Sequence, residues 1–155
     1  MYLKVIAFLV LISSSLFAEV KISDDEMEIK TANGFETSAK IYGPSETKNN
    51  IVFIVLHGKG SAPDKSHYEK MYDDLNDNGY KVIAPLMPWN KKWTGTFTDG
   101  MEVVDEIIES NNKNGNKTIL LGHSLGGAST LIYSSREKKD GFIGAITIAP
   151  GHMIH

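Results

Sequence analysis

Four stretches of the chain are dominated by apolar, often β-branched residues: Ile51–Leu56, Val82–Ala84, Thr118–Leu121 and Phe142–Ala149. A strand with one wet face alternates apolar and polar residues. An unbroken run such as Ile-Val-Phe-Ile-Val-Leu belongs to a strand buried on both faces, as in parallel sheets covered by helices. Between these runs the period changes. Over 64–78, Tyr68, Met71, Tyr72 and Leu75 share one helical face, and Gly79 follows as the stop. Met101, Val104 and Ile108 mark a second helix, which Thr98 or Asp99 can cap. Leu125 to Ser135 is the third. Upstream, Glu26–Lys30 and Thr37–Tyr42 flank the turn signal Asn33-Gly34 and predict a hairpin. Strand and helix in alternation imply right-handed crossovers and an α/β fold: a doubly wound, mostly parallel sheet flanked by helices. No helix follows Phe142–Ala149, so that strand is expected to keep an open edge and uncovered apolar faces, which favour pairing with other chains.

The first residues follow another pattern. Lys4 gives a positive start, Val5 to Ile12 is continuously apolar, and Ser13-Ser14-Ser15-Leu16-Phe17-Ala18 approaches a cleavage site. This is the layout of a secretory signal peptide, residues 1–18, ahead of a domain over 19–155. The apolar stretch is shorter than the ~20 residues that span a bilayer, so no stable membrane anchor is expected after cleavage. Export to a periplasm or the exterior is the expected destination.

Composition narrows the function classes. The chain is 41% hydrophobic and 23% charged, with a formal net charge of −3. It has no basic stripe, so nucleic acid is not an expected partner. It contains no cysteine, which removes disulfides, thiolate metal sites and a cysteine nucleophile. No HExxH, carboxylate cluster or paired histidines at ligand spacing point to a metal, and no cofactor is expected.

The chemistry lies in two glycine-rich turns. Gly122-His123-Ser124-Leu125-Gly126-Gly127 follows the third apolar strand and opens a helix, the G-x-S-x-G pattern. A serine on such a tight turn holds its hydroxyl clear of the sheet, on strained backbone. Gly122 and Gly126 remove side chains where strand and helix come close. The helix N-terminus beyond Ser124 offers free N–H groups to a developing oxyanion. Leu56-His57-Gly58-Lys59-Gly60-Ser61 follows the first apolar strand in the same way. Glycines there let a backbone N–H approach a substrate oxygen.

The two motifs, in this order, make residues 51–155 resemble the α/β-hydrolase superfamily of serine hydrolases, with the hairpin as its first strands. The resemblance implies Ser124 as nucleophile and the backbone N–H groups of Lys59 and Leu125 as the oxyanion hole, with Gly58, Gly60, Gly122 and Gly126 as motif glycines. It implies a serine hydrolase of esterase or lipase type that cleaves an ester, thioester or amide of a small-molecule or acyl substrate through an acyl-enzyme. His57 and His123 shape the turns and are not the family's base. In the family an Asp or Glu and then a His follow the nucleophile. Asp140 lies on the opposite sheet edge, and His152 and His155 come too early. No residue matches the acid or the base, so the sequence is expected to be the N-terminal part of a longer hydrolase, truncated after about the sixth strand. The alternative is a non-catalytic binding protein of the same fold that lacks both groups. Trp89 and Trp93, in the loop at the carboxyl edge of the sheet, either line the pocket or plug the surface. Lys91, Lys92 and His67 read as solvated.

Overall fold

The structure, a computed structural model, describes residues 18–136 and 139–151. The sheet strands are β1 (Glu19–Ile22), β2 (Glu26–Lys30), β3 (Glu36–Tyr42), β4 (Ile51–Leu56), β5 (Lys81–Pro85), β6 (Lys117–His123) and β7 (Phe142–Ile148). The helices are α1 (Ser66–Asp77), α2 (Phe97–Lys113) and α3 (Leu125–Ser135). The strands form one sheet in the order β1-β2-β3-β5-β4-β6-β7. β1, β2, β3 and β5 pair antiparallel in succession, while β5-β4, β4-β6 and β6-β7 are parallel. The described residues thus hold one more strand than the sequence pattern counted. β1 is the addition. Its Glu-Val-Lys-Ile is too short and too polar to stand out, and only pairing with β2 makes it a strand. The expected signal peptide falls almost wholly outside the described residues.

β4 explains why its run has no polar alternation. Val52, Ile54 and Leu56 pack with Met101, Val104, Ile107 and Ile108 of α2 and Tyr133 of α3. Phe53 and Val55 pack on the other face with Tyr68 and Tyr72 of α1. Burial of a side chain of this size contributes about 1.5–3 kcal/mol, so two covered faces favour an apolar residue at every position. β7 has a similar composition but lies at the edge of the sheet, beyond β6. Ile143, Ile146 and Ile148 are 52%, 45% and 43% exposed.

Helix limits follow local chemistry. Gly79 takes φ +88° after α1. α2 begins two or three residues earlier than Thr98 or Asp99 as cap would place it. Thr96 is the cap: its hydroxyl accepts the Asp99 N–H at 3.2 Å, and Asp99 Oδ2 accepts the Thr96 N–H at 2.6 Å. Asp99 is therefore the reciprocal member of a capping box, and that bond holds its carboxyl below the usual range. No helix of the described residues is long and apolar enough to cross a membrane.

Candidate active site

Parallel pairing of β4 with β6 puts Leu56 opposite Gly122, so the turns that leave these strands emerge side by side at the carboxyl edge. Ser124 lies between β6 and α3 with φ 54° and ψ −118°. Non-glycine residues occupy such backbone only at a cost of about 1–3 kcal/mol. Its carbonyl accepts the Ala128 N–H at 3.0 Å and the Gly151 N–H at 2.8 Å, and its own N–H donates to Ile148 O at 3.1 Å. Three elements therefore hold the backbone in place: β6, α3 and the end of β7.

The glycines make this turn possible by absence. A Cβ on Gly122 would strike the Gly126 carbonyl, and one on Gly126 would strike the Leu56 carbonyl. α3 begins directly against the strand that precedes the other turn. A Cβ on Gly58 would lie 3.2 Å from Ser124 Cβ and 3.6 Å from Ser124 Oγ. The turn after β4 is thus in contact with the serine.

That second turn is held by side chains from elsewhere. His57 is buried; its Nδ1 donates to Gly58 O at 2.8 Å and its Nε2 accepts the Met87 N–H at 2.9 Å. Burial lowers its pKa, and both ring nitrogens are occupied by backbone. Trp89 Nε1 donates to His57 O, and Trp89 O accepts the Gly60 N–H, each at 2.8 Å. Gly58 N–H donates to the Tyr68 hydroxyl at 2.9 Å, which also lies 3.2 Å from His123 Nδ1. With Gly58, Gly60 and Ser61 N–H groups all engaged, the Lys59 N–H stays without a partner among the described residues. The Leu125 N–H begins α3 and precedes the helix's own ladder.

The two tryptophans separate. Trp89 is 2% exposed, stacks on Phe97 and ties the loop to His57, so it belongs to the core and not to a pocket wall. Trp93 is 55% exposed at φ 50°, and Lys59 Nζ lies 5.4 Å from its ring centre. Lys91, Lys92 and His67 are exposed. Asp140 sits in the exposed turn before β7, at the sheet edge away from Ser124. His152 and His155 lie outside the described residues. Among the described residues, no group of three or more His, Cys, Asp or Glu gathers as metal ligands. Sequence reasoning missed Tyr68 and Met87 as members of the site, and it singled out Trp89 as a pocket or surface residue where the structure makes it a tether of the turn. A buried Tyr or Trp has a polar atom to satisfy, and that was the available signal.

A β-sheet of this order with a serine at the tight turn after β6 defines the α/β-hydrolase fold. The family model for "Putative esterase" matches residues 30–151, and the chain belongs to that family. No curated protein sequence matches it. Among solved structures it resembles a monoacylglycerol lipase of Paleococcus ferrophilus, at 28% identity and TM-score 0.58 over 73% of this chain and 42% of that one. An esterase of Pyrococcus furiosus aligns at 20% identity and TM-score 0.66, over 87% of this chain and 50% of that one. A bacterial brefeldin A esterase, described as a homologue of human hormone-sensitive lipase, aligns at 18% and 0.60, over 91% and 42%. The chain spans half or less of each of these proteins' lengths.

Proposed function

We propose that the protein is an exported serine hydrolase that cleaves an ester, thioester or amide through an acyl-enzyme on Ser124. The observation that carries this reading is the meeting of two turns: Ser124 on left-handed backbone between β6 and α3, in contact with the Gly58 turn. In this reading Ser124 Oγ attacks the acyl carbonyl and its proton passes to a general base. The carbonyl oxygen becomes an oxyanion, received by the N–H groups of Lys59 and Leu125. The tetrahedral intermediate collapses, and the leaving group departs with the proton from the base. Water then attacks the acyl-enzyme, the base takes the water's proton, and Ser124 is restored. Fixed N–H groups, with no side chain to reorganise, favour the transition state over the ground state.

We assign the base and its acid to segments outside the described residues. His57 is unsuited to the role, since Met87 N–H occupies its Nε2 and Gly58 O its Nδ1. The family match and the lipase and esterase neighbours support ester substrates in particular. The test is labelling of the complete protein with a fluorophosphonate probe. Ser124→Ala is expected to abolish labelling and to lower ester turnover on the order of 10⁶-fold. Equal labelling of parent and variant overturns the assignment and favours a binding protein of the same fold.

A further inference from the structure

We propose that Tyr68 is a positioning residue: its hydroxyl locks the turn after β4 to the turn that carries Ser124, and so fixes the distance between the Lys59 N–H and the Ser124 hydroxyl. The inference rests on the hydrolase reading above and goes beyond it, because Tyr68 belongs to neither turn. It projects from the first turn of α1 and is 2% exposed. Its hydroxyl accepts the Gly58 N–H at 2.9 Å and lies 3.2 Å from His123 Nδ1. A hydroxyl has one proton to give. The Tyr68 oxygen accepts the Gly58 N–H and keeps both its proton and a lone pair for His123 Nδ1, so the second contact closes in either tautomer of His123. One oxygen thereby joins the residue before Lys59 to the residue before Ser124.

Two consequences follow from the geometry. Gly58 and Lys59 offer successive N–H groups beside Ser124, and Tyr68 occupies the first, so Lys59 alone is left for an oxyanion. The aromatic ring is also held independently of its hydroxyl. It stacks on Tyr72 with centres 6.3 Å apart, lies 4.0 Å from the His67 ring and meets His123 edge-on at 5.9 Å. Tyr68→Phe therefore removes the link and leaves the packing.

An oxyanion donor acts mainly in the transition state, so a loosened turn lowers kcat with little change in KM. In the complete protein, Tyr68→Phe is expected to lower kcat for an activated ester about tenfold or more, with KM within about twofold. Amide exchange at Gly58 is expected to quicken about tenfold, with Val55 in β4 unchanged. His123→Leu breaks the same link from its other end and is expected to reproduce both effects. His123→Asn places an amide oxygen near the lost Nδ1 and is expected to restore most of kcat. The double variant Tyr68→Phe, His123→Leu is expected to be no slower than the worse single one, because both remove one link. Unchanged kcat, unchanged Gly58 exchange, or losses that multiply in the double variant each overturn the proposal. If Tyr68→Phe does not fold, His123→Leu at its half-buried position carries the same test. The exchange measurement runs equally in Ser124→Ala, where turnover is not needed. Retained turnover in Ser124→Ala defeats the hydrolase reading, whereas unchanged Gly58 exchange in Tyr68→Phe defeats the link alone.

Discussion

Two turns meet at Ser124, and they are built by opposite means. The turn after β6 closes by contact: Gly122 and Gly126 face backbone carbonyls with no room for a methyl group. The turn after β4 closes by hydrogen bonds that reach it from Tyr68, Met87 and Trp89. Steric exclusion is all or nothing, since a backbone carbonyl cannot move aside without shifting its strand. A hydrogen bond contributes about 1 kcal/mol net, so a turn tied by several loosens by degrees. The contact-built turn fixes the serine. The tethered turn is the adjustable partner, and α1 and the loop after β5 set its position.

Gly126→Ala is the severest way to break this contrast. Its methyl group meets the Leu56 carbonyl, and a loss on the order of 4 kcal/mol is expected, read as failure to melt cooperatively in urea. A variant within about 1 kcal/mol of the parent removes the distinction between the turns. His57→Leu ranks next. It leaves the buried Met87 N–H without an acceptor and is expected to cost about 1–3 kcal/mol. It also changes the pH dependence. Burial lowers the folded-state pKa of His57, so the unfolded chain takes up the proton more readily. The stability from neutral His57 is therefore complete above about pH 6.5 and lost as pH falls through the lower folded value. Melting temperatures at falling pH are expected to drop more steeply for the parent than for His57→Leu. Trp89→Phe removes one tether, the bond to His57 O, and is expected to cost about 1 kcal/mol. Gly60→Ala sharpens the comparison from the mild side. Gly60 has φ +68° with no atom within 4 Å of an added Cβ, so the loss is conformational alone, about 1 kcal/mol.

β4 and β7 show how far the apolar pattern reaches. Ile51–Leu56 and Phe142–Ile148 were both legible as strands, and both lie in the parallel part of the sheet. Only β4 is covered on its two faces; three isoleucines of β7 stay exposed. Composition reports that a segment favours burial, while its neighbours decide whether it is buried. β1 is the reverse case, a polar segment made a strand by its partner. The sequence leaves the cap of α2 open because Thr96, Thr98 and Asp99 are all competent caps, and in the structure Thr96 caps with Asp99 as its reciprocal partner.

The sequence by itself determined the α/β alternation, the hairpin, the core strands, and the tight turn around Ser124. Each depends on residues close together in the chain: runs, periods, and glycines two positions either side of a serine. Tertiary structure alone decided what holds the second turn. Tyr68, Met87 and Trp89 lie 10, 29 and 31 residues beyond Gly58 in the numbering and reach it only once α1 and β5 pack against β4. A hydrogen bond over such a separation leaves no local pattern, because a buried Tyr or Trp looks the same in sequence whichever backbone group satisfies it.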